Sequence, residues 1–312
     1  MKKPFNTLND CFIRYFFTDK GGEKVLLDFI NAVMISADMK TFKAVEILNP
    51  FNLKKHYKDK ETIVDVKCIT KNGTVVIIEV QLSGNSRFPE RILYYWSLNY
   101  SKLLKKGEQY DALTPVISIN LLNFNLNKKN SNVHSCYMIY DTKNKNLLTD
   151  HLQIHMIELK KFKFKDNNLK KDLNYWLGFF TTKNMEAYMS EIVKEKPIME
   201  EAHKRYNNFI RSRLMMTEYE KKELYQYDKQ ISLEDKRREG IKEGIKKGKL
   251  EGIKVGKLEG IKVGKLEGIK VGKLEGIKEN SYTIAKSLKS SGLDNQFISE
   301  HTGLSIEEIE KL

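Results

Sequence analysis

Apolar and polar positions alternate most sharply between residues 62 and 82. Two runs rich in Val and Ile, Thr62-Ile-Val-Asp-Val-Lys-Cys-Ile69 and Thr74-Val-Val-Ile-Ile-Glu-Val-Gln-Leu82, flank Thr70-Lys-Asn-Gly73. An Asn-Gly between such runs predicts a β-hairpin. A three-residue loop, Lys71-Asn72-Gly73 with Gly73 left-handed, pairs Thr70 with Thr74 and sets Asp65 opposite Glu79, about 5 Å away. Side chains alternate along a strand, so Val64, Val66 and Cys68 share one face with Val76, Ile78 and Val80. That apolar face is core. Ile63, Asp65 and Lys67 share the other with Ile77, Glu79 and Gln81. A two-residue turn would divide the two acids between the faces and send a carboxylate into the core, which is costly.

Around the hairpin the pattern predicts helices over 8–17 and 23–35, the second with Leu26, Leu27, Ile30, Val33 and Met34 at helical spacing. A first strand fits 44–48, ended by Asn49-Pro50. After a loop at Gly84-Asn85-Ser86, a helix over 89–105 carries Ile92, Tyr95, Trp96 and Leu103 near one face and ends at Gly107. A buried strand is expected over 115–122, with shorter ones over 135–140 and 153–158. From about 169 the pattern turns helical, and long charged helices fill 184–238. The body is therefore α/β with a helical extension.

Lys-Leu-Glu-Gly-Ile-Lys-Val-Gly repeats at 249–256, 257–264 and 265–272, a variant follows at 273–280, and glycine falls at every fourth position from Gly240 to Gly276. On a helix each four-residue step overshoots one turn by about 40°, so the glycine stripe winds round the helix and two such helices would cross right-handed. A helical oligomerising arm and a flexible spacer both fit. The tail reads as three short helices, one over Tyr282–Leu288 and two more N-capped by Asp294 and Ser305, with Ser305 and Glu308 forming a capping box. That spacing suits a helix-turn-helix or a small docking module.

Composition adds a charge argument. The chain of 312 residues carries a formal +14. The 11 Lys and 7 Glu of residues 239–280 account for +4, and the tail carries −2, which leaves +12 on residues 1–238. A basic body favours a polyanion, nucleic acid before an anionic membrane; a generally Lys-rich composition gives the same number. Cys11, Cys68 and Cys136 form no CxxC and no even framework, as expected in a reducing compartment. No signal-peptide core follows Met1 and no apolar run reaches spanning length, so a cytoplasmic protein with no membrane segment is expected.

Two carboxylates as close as Asp65 and Glu79 repel unless a cation lies between them. A hard divalent ion, which takes oxygen ligands and keeps several waters, is one solution; pairing with Lys67 or a distant Arg is the other. His151 and His155 are four apart but on a strand, so a two-histidine metal site is not expected. His134 and Cys136 have no partner by spacing.

Asp65…Glu79-Val-Gln81 resembles the PD-(D/E)XK nuclease signature, with Gln81 where many members have Lys. More narrowly, the chain is similar to the Rpn family of recombination-promoting nucleases, also described as PD-(D/E)XK putative transposases. The resemblance runs from Asn9-Asp10, Arg14 and Phe16-Phe17 through Leu27–Ala32 and Asp59-Lys60 to Ile78-Glu-Val-Gln81. It continues through Phe88, Arg91, Tyr94-Tyr95 and Ser97, then Gly107, Tyr110, Leu113 to Ile117 and Ile157 to Phe162, and ends in Tyr219-Glu220 and the Glu-Gly-Ile-Lys repeats. Ile13 and Arg14 depart from the family's Phe and Lys.

This resemblance implies a restriction-endonuclease-like core over 1–165, a mixed central sheet flanked by helices, followed by a helical extension over 166–238, the repeat arm over 239–280 and the tail over 281–312. It implies an Mg²⁺- or Mn²⁺-dependent DNA endonuclease promoting recombination or transposition-like events, with DNA as partner; the glycine stripe, not the resemblance, is what points to a homo-oligomer formed through the arm. Asp65 and Glu79 would hold the metal and Gln81 would orient water or the scissile phosphate. Arg91 would restore the missing positive charge or pair with a helix carboxylate. Asp10 would add an acidic group or cap residues 11–17. A catalytically inactive DNA-binding or assembly protein on the same fold is the alternative.

Overall fold

The computed structural model describes residues 5–48, 51–52, 62–84, 87–164 and 171–312; Asp59-Lys60 and the Gly84-Asn85-Ser86 loop beyond Gly84 lie outside them. In chain order the elements are α1 (Asp10–Thr18), α2 (Glu23–Ser36), β1 (Val45–Leu48), β2 (Phe51–Asn52), β3 (Thr62–Ile63), β4 (Val66–Thr70), β5 (Val75–Gln81), α3 (Phe88–Ser101), β6 (Val116–Leu122), β7 (His134–Tyr140), β8 (Leu147–Glu158), α4 (Lys171–Thr181), α5 (Met185–Ile192), α6 (Ile198–Arg211), α7 (Arg213–Ser290), α8 (Asn295–Thr302) and α9 (Ile306–Glu310). The chain divides into two compact units, Met1–Tyr227 and Asp228–Leu312.

The first unit is built on a mixed six-stranded sheet ordered β1-β4-β5-β6-β8-β7, and β2 and β3 form a separate two-stranded ladder. β1, β4 and β5 run antiparallel, β5, β6 and β8 run parallel, and β7 returns antiparallel beside β8. All seven residues of β6 are buried, as a central parallel strand covered on both faces requires. On one face Val66, Cys68, Val76 and Ile78 join a cluster with Phe12, Phe16, Phe29, Trp176, Phe179 and Phe209 from the helices α1, α2, α4 and α6. α3 covers the other face. Its Phe88 and Ile92 pack on Leu152, Ile154 and Met156, while Trp96 and Tyr100 cover Val64, Val75, Ile77 and Val116.

Three local expectations change. Val64 joins the α3-side cluster instead of lying with Val66 and Cys68, because β4 begins only at Val66 and Asp65 sits at a bend. The α3 helix stops at Ser101, with Lys102 as its C-cap; Gly107 takes its left-handed φ of 93° in the loop beyond. The strand expected over 153–158 starts at Leu147.

α1 is locked from a distance. Arg205 on α6 is buried and donates four hydrogen bonds to the chain at the end of α1: Nε to Phe16 O (2.8 Å), Nη2 to Tyr15 O (3.0 Å) and Asp19 O (3.1 Å), and Nη1 to Lys20 O (3.2 Å). The last carbonyls of a helix have no partner within it; here the guanidinium supplies Phe16 O and Lys20 O, and shares Tyr15 O with Asp19 N and Asp19 O with Gly22 N. The start of α7 holds the other end of α1. Tyr219 Oη accepts from Asn6 N at 2.7 Å, and Glu223 Oε1 accepts from Asn9 Nδ2 at 2.8 Å.

In the second unit the repeats are helical throughout, as part of α7, and their apolar side chains are exposed, Leu250, Ile253 and Val255 among them. Residues 282–288 are the end of α7, not a separate helix. No breaker intervenes before Gly292, whose φ is 84°. Two short helices follow. Asp294 caps α8, and Ser305 with Glu308 forms the capping box of α9. Ala285, Ile298, Leu304 and Ile309 bury one another in a small core.

Candidate functional site

The hairpin adopts the register its turn chemistry dictates. Gly73 has φ 82°, Thr70 N donates to Thr74 O at 2.9 Å, and the ladder pairs Ile69 with Val75 through Val66 with Ile78. One step beyond that last pair lie Asp65 and Glu79. The bend at Asp65 lets its carboxylate replace a backbone partner, with Oδ2 accepting from Val80 N at 2.7 Å. Both acids are buried, at 8% and 6% exposure, at the carboxyl end of β5 between α1 and α3.

Burial of a charged carboxylate without a countercharge is costly, and the titration of the pair reflects it. Desolvation raises Asp65 to about 6, with a further push from Asp10, against the Val80 amide and the charges of Arg14 and Lys222. Glu79 is raised well above the ordinary range by desolvation and by Asp65, against Arg91, Gln81 and Arg14. Neither acid forms an ion pair among the described residues, and Glu79 Oε1 is buried with no hydrogen-bond partner. Lys67 does not neutralise them; burial and Lys102 lower its own pKa.

Gln81 and Arg91 meet. An Nη2 hydrogen of Arg91 is donated to Gln81 Oε1, Gln81 Nε2 donates to Glu79 Oε2 at 3.2 Å, and the guanidinium of Arg91 lies 5.3 Å from the Phe88 ring centre. Arg91 thus reaches the site through the amide that stands in the Lys position. Asp10 is the first residue of α1 and not its cap; Asn9 is the N-cap, its side chain accepting from Cys11 N at 2.9 Å. Asp10 Oδ2 is bound to Lys222 Nζ of α7 at 2.9 Å.

Arg14 and Lys222 therefore join the site electrostatically, although the sequence pattern did not single them out as site residues. For Arg14 the available signal was its place four residues after Asp10, on the same face of one helix. For Lys222 there was none, since it lies on a helix more than 200 residues from Asp10.

The residues fit a divalent cation in one respect and limit it in another. Asp65 and Glu79 offer hard oxygen donors that repel each other, one of them an orphaned buried oxygen, and Mg²⁺ is commonly held by one or two carboxylates plus waters. Among the described residues no group of three His, Cys, Asp or Glu could hold a metal, and Asp10 is engaged by Lys222.

A second polar cluster lies across β7 and β8. His155 is fully buried opposite Cys136. Its Nδ1 lies 3.0 Å from His134 Nε2 and its Nε2 lies 3.8 Å from Cys136 Sγ, while His134 Nδ1 lies 3.0 Å from Ser36 Oγ. His151 turns away to Tyr100 Oη at 2.9 Å, so the two histidines four apart have different partners. Spacing could not find this cluster, because an antiparallel return brings it together.

Burial holds the cluster's imidazoles neutral, His134 at about 4 and His155, also facing His134, at about 3. Both folded values lie below the unfolded value near 6.5. The neutral pair therefore contributes its full stability above pH 6.5, and that contribution is lost progressively as pH falls towards 4. Asp65 and Glu79 act in the opposite sense in this window, so the check belongs in an Asp65→Asn/Glu79→Gln background. There, urea unfolding is expected to lose on the order of 5 kcal/mol between pH 7.5 and 4.5. A flat profile would contradict the assignment.

A family model described as PD-(D/E)XK nuclease family transposase matches residues 7–236. No curated protein matches the chain, and no solved structure does.

Proposed function

The chain belongs to the PD-(D/E)XK nuclease family transposases, and on that premise we propose that it is a metal-dependent DNA endonuclease promoting recombination or transposition-like events. The observation that carries this reading is the buried pair Asp65 and Glu79, both destabilised as anions by desolvation and Glu79 also by Asp65, unpaired with any cation among the described residues and left with an orphaned oxygen. Such a pair is costly unless it has a task. Asp65 and Glu79 would hold Mg²⁺ or Mn²⁺. Bound there, the ion would supply a Lewis acid that acidifies water and neutralises charge building on the phosphate.

Gln81 has its amide fixed from both sides, by Arg91 and by Glu79, and its remaining donor and lone pair are suited to orient water or a phosphate oxygen. Arg91 supplies through that amide the positive charge that Gln81 itself lacks. The basic body favours DNA as the partner. No described helix is long and apolar enough to cross a membrane, and three free cysteines fit the cytoplasm.

The test is incubation of supercoiled plasmid with the purified chain in Mg²⁺ and in EDTA. Nicking or linearisation in Mg²⁺ alone is expected. Cleavage that persists in EDTA would remove the metal from the reading. Salt-sensitive DNA retention without cleavage would favour an inactive DNA-binding protein on this fold.

The arm is proposed to assemble copies of the chain. Its ten glycines from Gly240 to Gly276 have nothing within 4 Å of an added Cβ, and each costs about 1 kcal/mol relative to Ala in a helix. A long helix with that handicap and exposed Leu, Ile and Val gains stability by burial against a second copy, close approach being possible along the glycines. Deleting residues 249–272, which removes three whole repeats, is expected to lower the oligomer mass in light scattering. An unchanged mass would leave the arm a spacer.

A further inference from the structure

We infer that Arg14 binds a phosphate of the DNA backbone at the Asp65–Glu79 site, an inference that rests on the nuclease reading above. Three cations act on the carboxylate pair: Arg14, Arg91 and Lys222. Two of them are committed. Arg91 donates to Gln81 and lies against Phe88, and Lys222 is paired with Asp10 at 2.9 Å.

Arg14 differs in both reach and commitment. It acts on Asp65 and on Glu79 alike, yet its guanidinium has no hydrogen bond or ion pair among the described residues, and its Nε is buried without a partner. A guanidinium carries five N–H donors in a planar fork, and leaving a buried donor unpaired is costly. The natural complement of that fork is a pair of phosphate oxygens, bound bidentately. A carboxylate would serve as well, but the two nearby are not engaged by it.

Position supports the same assignment. Phe12, Ile13, Phe16 and Phe17 of α1 are fully buried, so the helix that carries Arg14 is anchored in the core. Arg205 and Glu223 hold the segments at its two ends. A phosphate gripped there would meet a donor already placed, and preplaced groups lose little freedom on binding.

The competing explanation is that Arg14 only offsets the charge of the acids. The two are separated by Arg14→Gln and Arg14→Lys, compared with the unaltered full chain for binding of a fluorescent duplex oligonucleotide in Ca²⁺, across a salt series, and for plasmid cleavage in Mg²⁺. Arg14→Gln is expected to weaken duplex binding about tenfold or more and to lower the slope of log affinity against log salt by about one. Arg14→Lys should keep the slope but recover only part of the affinity, because an ammonium does not form the fork. It also guards against misfolding of the glutamine variant, and circular dichroism checks both.

If the unaltered chain cleaves while Arg14→Gln binds with the same affinity and salt slope, Arg14 is not a phosphate ligand and the nuclease reading stands. An Arg14→Lys variant indistinguishable from the unaltered chain in affinity would likewise overturn the bidentate contact. If the unaltered chain neither binds nor cleaves DNA, the nuclease reading fails and this inference with it.

Discussion

Asp65→Asn is expected to cut plasmid cleavage by at least about a thousandfold while making the metal-free protein more stable at pH 8. The two effects have one cause. Asn keeps a carbonyl oxygen to accept from Val80 N, as Asp65 Oδ2 does at 2.7 Å, so the bend before β4 survives. What disappears is one of two buried like charges. Because Asp65 is raised in the folded state to about 6 from near 3.9 unfolded, ionisation of this group opposes folding. Its favourable contribution is complete below the unfolded value and is lost as pH rises through the folded one.

The Asp65→Asn midpoint should therefore exceed that of the unaltered chain at pH 8, by an amount on the order of 1–3 kcal/mol in unfolding free energy. The difference should shrink towards pH 5. Mg²⁺ should raise the midpoint of the unaltered chain and leave the variant nearly unmoved, since a ligand stabilises only the state that binds it. Cleavage retained in Asp65→Asn would remove this residue from the site. A midpoint indifferent to Mg²⁺ in the unaltered chain would argue against the pair as a metal site.

Arg205→Met should produce the largest loss of stability, about 3–5 kcal/mol. Methionine can occupy much of the stem's volume but replaces none of the guanidinium's four bonds, which leaves Phe16 O and Lys20 O without them and Tyr15 O and Asp19 O with only Asp19 N and Gly22 N. Those acceptors end α1, and α1 carries Asp10 and Arg14. Urea unfolding with an unchanged m-value and a lower midpoint is the expected signature. Cleavage per folded molecule should fall as well, because the far end of α1 loses its fixed position. A midpoint within about 0.5 kcal/mol of the unaltered protein would mean that water replaces the guanidinium at no cost, and that α1 is held by its apolar face alone.

Much of the site's framework was legible in the chain because it is local. The Asn-Gly turn with its left-handed Gly73 sets the register of β4 against β5, and register decides which side chains come side by side. Asp65 and Glu79 follow from that count. The caps Asp294 and Ser305 are read in the same way, from side chains that bond backbone two or three residues on. Val64 marks the limit of strand counting. The bend at Asp65 carries it into the α3-side cluster, and alternation holds only while the strand is regular.

What the sequence determined by itself, then, is the fold class, the hairpin with its acidic pair and the resemblance to a nuclease family that residues 7–236 bear out. Each is carried by turn chemistry, periodicity or ordered motifs within short reach. Only the tertiary structure decided which charges surround that pair. Arg14 stands free beside it, Arg91 arrives through Gln81, Lys222 returns from the start of α7 to bind Asp10, and His134, His155 and Cys136 meet across the β7–β8 return. These contacts join residues far apart in sequence. They form because burial of the shared aromatic core brings α1, α6, α7 and the sheet together, and no local pattern encodes which polar groups that collapse will bring within reach of one another.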